Sequence, residues 1–321
     1  MNKDRITTIT KRLLLAIATA DALGVPVEFE PRYNRQIDPV SGMRGFGTFQ
    51  QPAGTWSDDF SLTAATIESF IHAGPNQIDV EDLGRRFRNW LDYDYWTVDG
   101  VFDVGIATRA AIERMREGCR AEEAGGVDEY DNGNGALMRI LPLLLHPLYQ
   151  AGNASKRQTL IGQVASVTHR HPRSTLACFI YLELADQLLQ GVGKMEAYTH
   201  VCDSISSTLS HELTHELGHF TQVLDGNLHL LPVSQIQSSG YVIHTLSAAI
   251  WCLLKNVGFT DTALAAVNLG GDTDTTAATA APLSVLAADE NDIIIPAWLQ
   301  VVAKRDNIED LADRFIARMW A

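Results

Sequence analysis

Apolar residues recur at three- and four-residue spacing along most of this chain, which is the period of an amphipathic helix. The pattern predicts helices over 6–22, 61–73, 80–91, 104–117, 137–148 and 160–167, then over 175–189, 195–209, 241–254, 261–267, 275–288 and 308–319. Several starts are punctuated: Asp79 precedes Val80 and Glu81, Thr175 follows Pro172, and Asp261 and Thr262 follow Gly258. Such residues supply oxygens for the free N–H groups of a first turn. Strand signals are nearly absent. The best is 292–295, an aspartate and three isoleucines ahead of Pro296, too short to decide an architecture. The expected fold class is all-α. No repeat of 20 to 50 residues and no Ser/Gly/Pro linker divides the chain, so 1–321 is expected to be one compact multi-helix domain. The two longest non-helical stretches, 31–56 and 120–134, are where function is expected to concentrate.

Charge narrows the partners. With 25 Lys+Arg against 39 Asp+Glu the net charge is −14, which opposes binding to a nucleic-acid backbone or an anionic membrane surface. The apolar run 13–20 has eight residues, too few to span a bilayer. Lys3, Arg5, Lys11 and Arg12 ahead of it, with Ala16, Ala18 and Ala20 within it, allow a signal-peptide reading. Against that reading, the run leads directly into Asp21 of a candidate functional segment. Cys119, Cys178, Cys202 and Cys252 are scattered, with no CxxC, and are expected to be reduced in a cytoplasmic protein.

Five segments carry candidate chemistry. Trp56-Ser57-Asp58-Asp59 and Gly270-Gly271-Asp272-Thr273-Asp274-Thr275 each precede an apolar helix. Either alone reads as a helix cap, because hydroxyls and carboxylates suit the N–H groups and dipole of a helix start. Together they offer four carboxylates and two hydroxyls, an oxygen-only set suited to hard cations such as Mg²⁺ or Mn²⁺, and paired aspartates can serve two ions. In the third, Asp21 and Glu28 lie in apolar surroundings around Gly24 and Pro26. Glu28 is either a solvated carboxylate after a helix stop or a catalytic one. The fourth, Asn132-Gly133-Asn134-Gly135 before Ala136, Leu137, Met138 and Arg139, is an ordinary turn or a phosphate cradle. The fifth is Thr168-His169-Arg170-His171-Pro172.

In this order and over residues 20 to 280, these segments resemble the ADP-ribosylglycohydrolase family, the dinitrogenase-reductase-activating glycohydrolase type. The resemblance implies an all-α enzyme that uses two Mg²⁺ ions, or Mn²⁺, to release ADP-ribose from a modified protein or small molecule. It implies metal ligation by Ser57, Asp58, Asp59, Asp272, Asp274 and Thr275, with Asp58, Asp59 and Asp272 also in the catalytic set. Glu28 would orient or activate at the ribose, and Gly133, Asn134, Gly135 and His169 would contact the ADP-ribose. An arginine N-glycosidic linkage is the favoured substrate, and the loops 42–55 and 120–131 are the expected specificity rim. The chain departs from the family at Ser57, a frequent Thr; at Phe60, where many members have Thr; at Ala136, a frequent Ser; and over 278–285, which lacks the usual small glycines. Phe60 keeps open a catalytically silent relative that binds ADP-ribose or neutralises an ADP-ribosylating protein.

A competing motif lies at His211-Glu212-Leu213-Thr214-His215-Glu216-Leu217-Gly218-His219, two overlapping HExxH patterns of the kind that bind zinc in metalloproteases. The alternative is an amphipathic helix burying Leu209, Leu213, Leu217 and Leu224. No third zinc ligand follows in the expected context, and Thr221 stands where an extended motif has His.

Overall fold

The helical period is realised along nearly the whole chain. A computed structural model describes residues 3–288 and 296–320, so the predicted strand at 292–295 lies outside the described residues. Eleven helices of ten or more residues occur among them: α1 (Lys3–Gly24), α2 (Asp58–Ala73), α3 (Val80–Tyr93), α4 (Ile106–Arg116), α5 (Ala154–Ala165), α6 (Pro172–Leu189), α7 (Lys194–Thr208), α8 (Val242–Lys255), α9 (Gly258–Val267), α10 (Thr273–Ala287) and α11 (Arg305–Met319). The described residues form no strand, only isolated bridges such as Gly133 with Tyr241.

The core is organised around α10. Its sequence has no charged face beyond Asp274, and all of it but the last residue is buried, as expected for a helix without a solvent side. It packs along α1 and is flanked by α8, α9 and α6. Ala16, Ala18, Ala20 and Ala22 in α1 and Ala277, Ala278, Ala280 and Ala281 in α10 are all buried, and such small side chains let close-packed backbones approach. The approach is tightest at Gly24, where an added Cβ would lie 2.4 Å from the Asp274 Cα. Glycine there brings the end of α1, carrying Asp21, against the beginning of α10. The apolar run 13–20 is buried throughout, in the middle of α1. Helix α11 packs on α1 and α2, α3 packs on α2, and α6 lies against α5 and α7.

Two predicted helices come out differently. Residues 137–146 are buried, but the predicted helix 137–148 is replaced by a 3₁₀ turn, Leu141–Leu145, and a short helix, Pro147–Gln150. Pro142 and Pro147 interrupt the helical ladder, and the residue before a proline is pushed toward extended backbone; His146 sits at φ −77°, ψ 132°. Around the HExxH patterns the chain breaks into His211–Thr214, a 3₁₀ turn Leu217–Phe220 and Thr221–Leu224. Of the expected caps, Asp79 accepts from the Asp82 N–H at 2.9 Å, whereas α6 starts at Pro172 with His171 Nδ1 as its cap and α9 starts at Gly258 with no side-chain cap. The four cysteines are unpaired, and no described helix is long and apolar enough to cross a membrane.

Candidate functional site

Three chain segments converge where α1 ends and α2 and α10 begin. Ser57 is the N-cap of α2, its Oγ accepting from the Asp59 N–H at 3.3 Å. Asp21 reaches across from α1: its two oxygens accept the Ser57 N–H at 2.9 and 3.0 Å, and one also accepts the Phe60 N–H at 3.0 Å. A carboxylate of one helix thus caps the next, and it fixes Asp58 and Asp59 in the first turn of α2. Ahead of α10, Gly270 and Gly271 take φ of +73° and +74°, backbone that favours glycine. Gly271 donates to the Glu30 carbonyl at 2.8 Å and accepts from the Phe29 N–H at 2.7 Å, which ties the Glu28 segment to Asp272 and Asp274. Thr275 Oγ1 joins the two helix starts by donating to Asp59 Oδ2 at 3.2 Å.

The Gly-rich segment forms the facing wall. Asn134 donates its N–H to the Gly240 carbonyl at 3.0 Å, and its Nδ2 to Asp272 Oδ2 at 2.8 Å and Thr245 Oγ1 at 2.9 Å. His169 packs behind the glycines: a Cβ on Gly135 would lie 2.8 Å from its Cε1, and one on Gly133 3.2 Å from its Nε2. Burial and the charge of Arg139 push the imidazole down to about 3, so it is neutral. Arg139 is wholly buried and donates to Thr168 Oγ1, which lies 2.8 Å from His169 Nδ1. The Thr168 hydroxyl thus links the buried guanidinium to the imidazole, and His169 Nε2 is the ring nitrogen beside the glycines.

Between these walls lies a cleft of about 410 Å³. Glu28, Asp58, Asp272 and Thr275 line it together with Gly133, Asn134, Gly135 and His169. Ser57, Asp59 and Asp274 are buried behind that lining. The structure therefore gathers the predicted site residues of the five segments around one cavity, while Arg170 and Pro172 line a separate hollow. It also adds Asp103, from the loop between α3 and α4, to the lining. Sequence patterning missed Asp103 because it lies next to a predicted helix start without a motif of its own; its one unusual feature, φ of +49°, is invisible in sequence.

Seven carboxylates thus share a largely buried space. Burial is the leading influence on each, and the charges acting on them most strongly are one another's. Burial and neighbouring carboxylates push Glu28 up to about 11, burial lifts Asp21 to about 7 against its backbone hydrogen bonds, and burial with Asp272 lifts Asp103 to about 6. Asp58, Asp59 and Asp274 are raised well above the carboxylate range for the same reasons. Glu28 Oε2, Asp59 Oδ1, Asp272 Oδ1 and Asp274 Oδ2 are buried with no hydrogen-bond partner. Unmet buried acceptors are costly, and a cation meets them. Two groups could hold one, Asp21 with Asp59 and Asp274, and Glu28 with Asp103 and Asp274. Asp274 is common to both, and the donors are oxygen only, as hard cations require. The oxygens of Asp21 already accept backbone N–H groups, so its arrangement suits anchoring more than ligation.

Phe60 lies outside the cleft. It is fully buried, edge-on to Trp56 at 5.1 Å and Trp96 at 6.5 Å, so it supports the floor from the core. The HExxH segment does not assemble a zinc site: among the described residues no histidine belongs to a group of three or more potential metal ligands. Its Glu216 and His219 instead contact Arg173, each at 2.7 Å.

Comparison with known proteins agrees with this geometry. The sequence profile of the family described as ADP-ribosylglycohydrolase matches residues 3–321. An ADP-ribosylarginine hydrolase of Pseudomonas putida (strain GB-1) is 30% identical over 313 residues, covering 96% of this chain and 78% of the relative. The ADP-ribosyl-[dinitrogen reductase] glycohydrolase of Rhodospirillum rubrum is 30% identical over 282 residues, covering 87% and 85%. A solved structure described as an ADP-ribosylglycohydrolase-related protein complex is similar with a TM-score of 0.77 at 29% identity, covering 98% of this chain and 99% of that one.

Proposed function

The chain belongs to the ADP-ribosylglycohydrolase family, and we propose that it is a metal-dependent hydrolase that cleaves the N-glycosidic bond between ADP-ribose and an arginine side chain of a modified protein. The observation that carries this is the convergence of unpartnered buried carboxylate oxygens with the Gly133–Gly135 wall on a single cleft. The names of the two bacterial relatives support the substrate class. The four free cysteines fit a reducing cytoplasm, and we take the whole chain as one domain.

In this reading Ser57, Asp58, Asp59, Asp272, Asp274 and Thr275 hold two Mg²⁺ or Mn²⁺ ions. When bound, the ions supply Lewis acidity toward the ribose hydroxyls and a water. The remaining work belongs to the chain. Gly133 and Gly135 let the backbone come close to the diphosphate, and the neutral His169 ring packs behind them. Asn134 holds Asp272 in place through its amide. Hydrolysis adds a water oxygen to the ribose C1, breaks the C1–N bond through an oxocarbenium-like state and returns a proton to the departing nitrogen. Glu28 and Asp103, which line the cleft, are the carboxyls placed to move those protons.

Release of free ADP-ribose from an ADP-ribosyl-arginine conjugate, measured with Mg²⁺ and then with EDTA, tests the reading. Release that the chelator abolishes supports it. Turnover that is indifferent to EDTA removes the metal roles, and binding of ADP-ribose without turnover on any linkage makes the chain a binding protein.

A further inference from the structure

The mouth of the cleft carries large apolar side chains that water disfavours. Phe29, Ile106 and Tyr130 line the cavity and are 66%, 90% and 97% exposed. Phe29 adjoins the carboxylates, following Glu28 in sequence, and its backbone is held at φ +62° by its hydrogen bond to Gly271 and by the Thr48 hydroxyl, which donates to the Glu28 carbonyl at 2.7 Å. Left-handed backbone disfavours residues with a side chain, and instances that persist cluster at functional sites. The Phe29 ring stands edge-on to Phe49 at 6.1 Å, and Phe49 leans on Phe102 at 5.1 Å. Phe102 precedes Asp103, itself left-handed. Glu28 and Asp103, the two cleft carboxyls given the proton-moving roles above, therefore each have an aromatic chain neighbour, and Phe49 joins those aromatics into one wall.

Aromatic faces beside carboxylates match one chemistry well, a planar cation. The ring face attracts a guanidinium while carboxylate oxygens accept its N–H groups. We propose that Phe29, backed by Phe49 and Phe102, is the subsite for the leaving group, the guanidinium of an ADP-ribosylated arginine on an exposed protein segment. This rests on the hydrolase reading above and adds the side chains that select the linkage. Phe29 is a specificity residue: it touches the departing side chain and leaves the ADP-ribose to the Gly-rich wall. A serine-linked conjugate has no planar charge to stack there.

The test is Phe29→Ala in the full chain with Mg²⁺, a substitution at an exposed side chain that leaves the core intact. kcat/KM on an arginine-linked ADP-ribosyl peptide is expected to fall roughly threefold to thirtyfold, while the Kd for free ADP-ribose stays within about twofold, as a contact confined to the leaving group requires. Phe29→Tyr is expected to restore the rate, and inhibition by ethylguanidinium to weaken in Phe29→Ala. An unchanged kcat/KM, or a parallel loss of ADP-ribose affinity, overturns the subsite and leaves the hydrolase reading standing. A wild-type protein that releases nothing from the arginine-linked peptide overturns both.

Discussion

Replacing Glu28 by Gln is expected to stabilise the metal-free protein at pH 7, and to do so by an amount that fades with acid. Glu28 is 3% exposed and its carboxyl is pushed up to about 11 by burial and by Asp103 and Asp272. A folded-state value above the unfolded one gives a contribution that is complete below the unfolded pKa and is lost as pH rises. Against an unfolded value of 4.5, taking up that proton costs about 3 kcal/mol at pH 7 and about 1 kcal/mol at pH 5. Gln needs no proton, so Glu28→Gln escapes the cost at both pH values. With an unfolding entropy of about 2.1 cal/mol/K per residue, the variant should melt about 5 °C above wild type at pH 7 in EDTA and about 1 °C above it at pH 5. Buried histidines such as His146 and His169, pushed down to about 4 and about 3, tilt both proteins alike and cancel in the difference. Mg²⁺ at a hundred times its Kd should add about 2.7 kcal/mol to wild type and less to the variant, narrowing the gap. Differential scanning calorimetry of both proteins at pH 5 and 7, with EDTA and with Mg²⁺, reads all of this. Coincident melting in EDTA at pH 7, or a gap that persists at pH 5, would refute the account of Glu28 as a carboxyl held protonated by its neighbours.

Three further substitutions probe the site and its scaffold. Asp58→Asn combined with Asp59→Asn should lower Mg²⁺-dependent ADP-ribose release by at least about a hundredfold, since metal polarisation supplies several kcal/mol; full turnover would show that the metals are held elsewhere. Gly24→Ala should cost about 3 kcal/mol or more by urea unfolding, because its Cβ would meet the Asp274 backbone at 2.4 Å and overpacking against main chain has no side chain to yield. Arg139→Ala should cost about 3–5 kcal/mol by the same measurement, since it empties a fully buried volume beside Phe87 and strands the Val164 carbonyl; a loss under about 1 kcal/mol would mean the cavity collapses without strain.

What the sequence made legible follows from which physics is local. Helix positions were readable because amphipathic period and caps such as Asp79 are set within a few residues. The apolar period of 137–148 was readable for the same reason, but the element it forms was not: Pro142 and Pro147 override a period that fits helix and compact turn equally well. The aspartate pairs stood out because each sits at a helix start beside Ser57 or Gly270 and Gly271. Asp103 did not, since only tertiary folding brings its loop over Glu28 and Asp274. Asp21 was legible as an odd carboxylate in an apolar helix, while its cross-helix hydrogen bonds to Ser57 and Phe60 depend on how α1 meets α2.

A space holding seven mutually repelling carboxylates works against folding, and the rest of the architecture explains how the chain tolerates it. Two helix N-termini, those of α2 and α10, point their positive ends into the cluster, each worth some tenths of a kcal/mol to a nearby carboxylate, far short of what several pKa elevations imply. Protonation relieves the remainder when no metal is bound, and binding of a hard cation relieves it without protons. The surrounding core is what permits either state to exist. α10 is buried all round and locked to α1 by Gly24, so the aspartates cannot escape their repulsion by moving apart. Rigid helices here store unfavourable electrostatics at a fixed place, and that turns a cluster costly to an apo protein into a preorganised cation site. It follows that loosening the α1–α10 contact should weaken metal binding before it unfolds the protein. Ala20→Gly, which removes a buried methyl one turn before Gly24 on the same face of α1, should raise the Mg²⁺ Kd measured by calorimetry several-fold at a stability cost of about 1–2 kcal/mol; an unchanged Kd at that cost would show that the carboxylates hold their geometry independently of the helix pair.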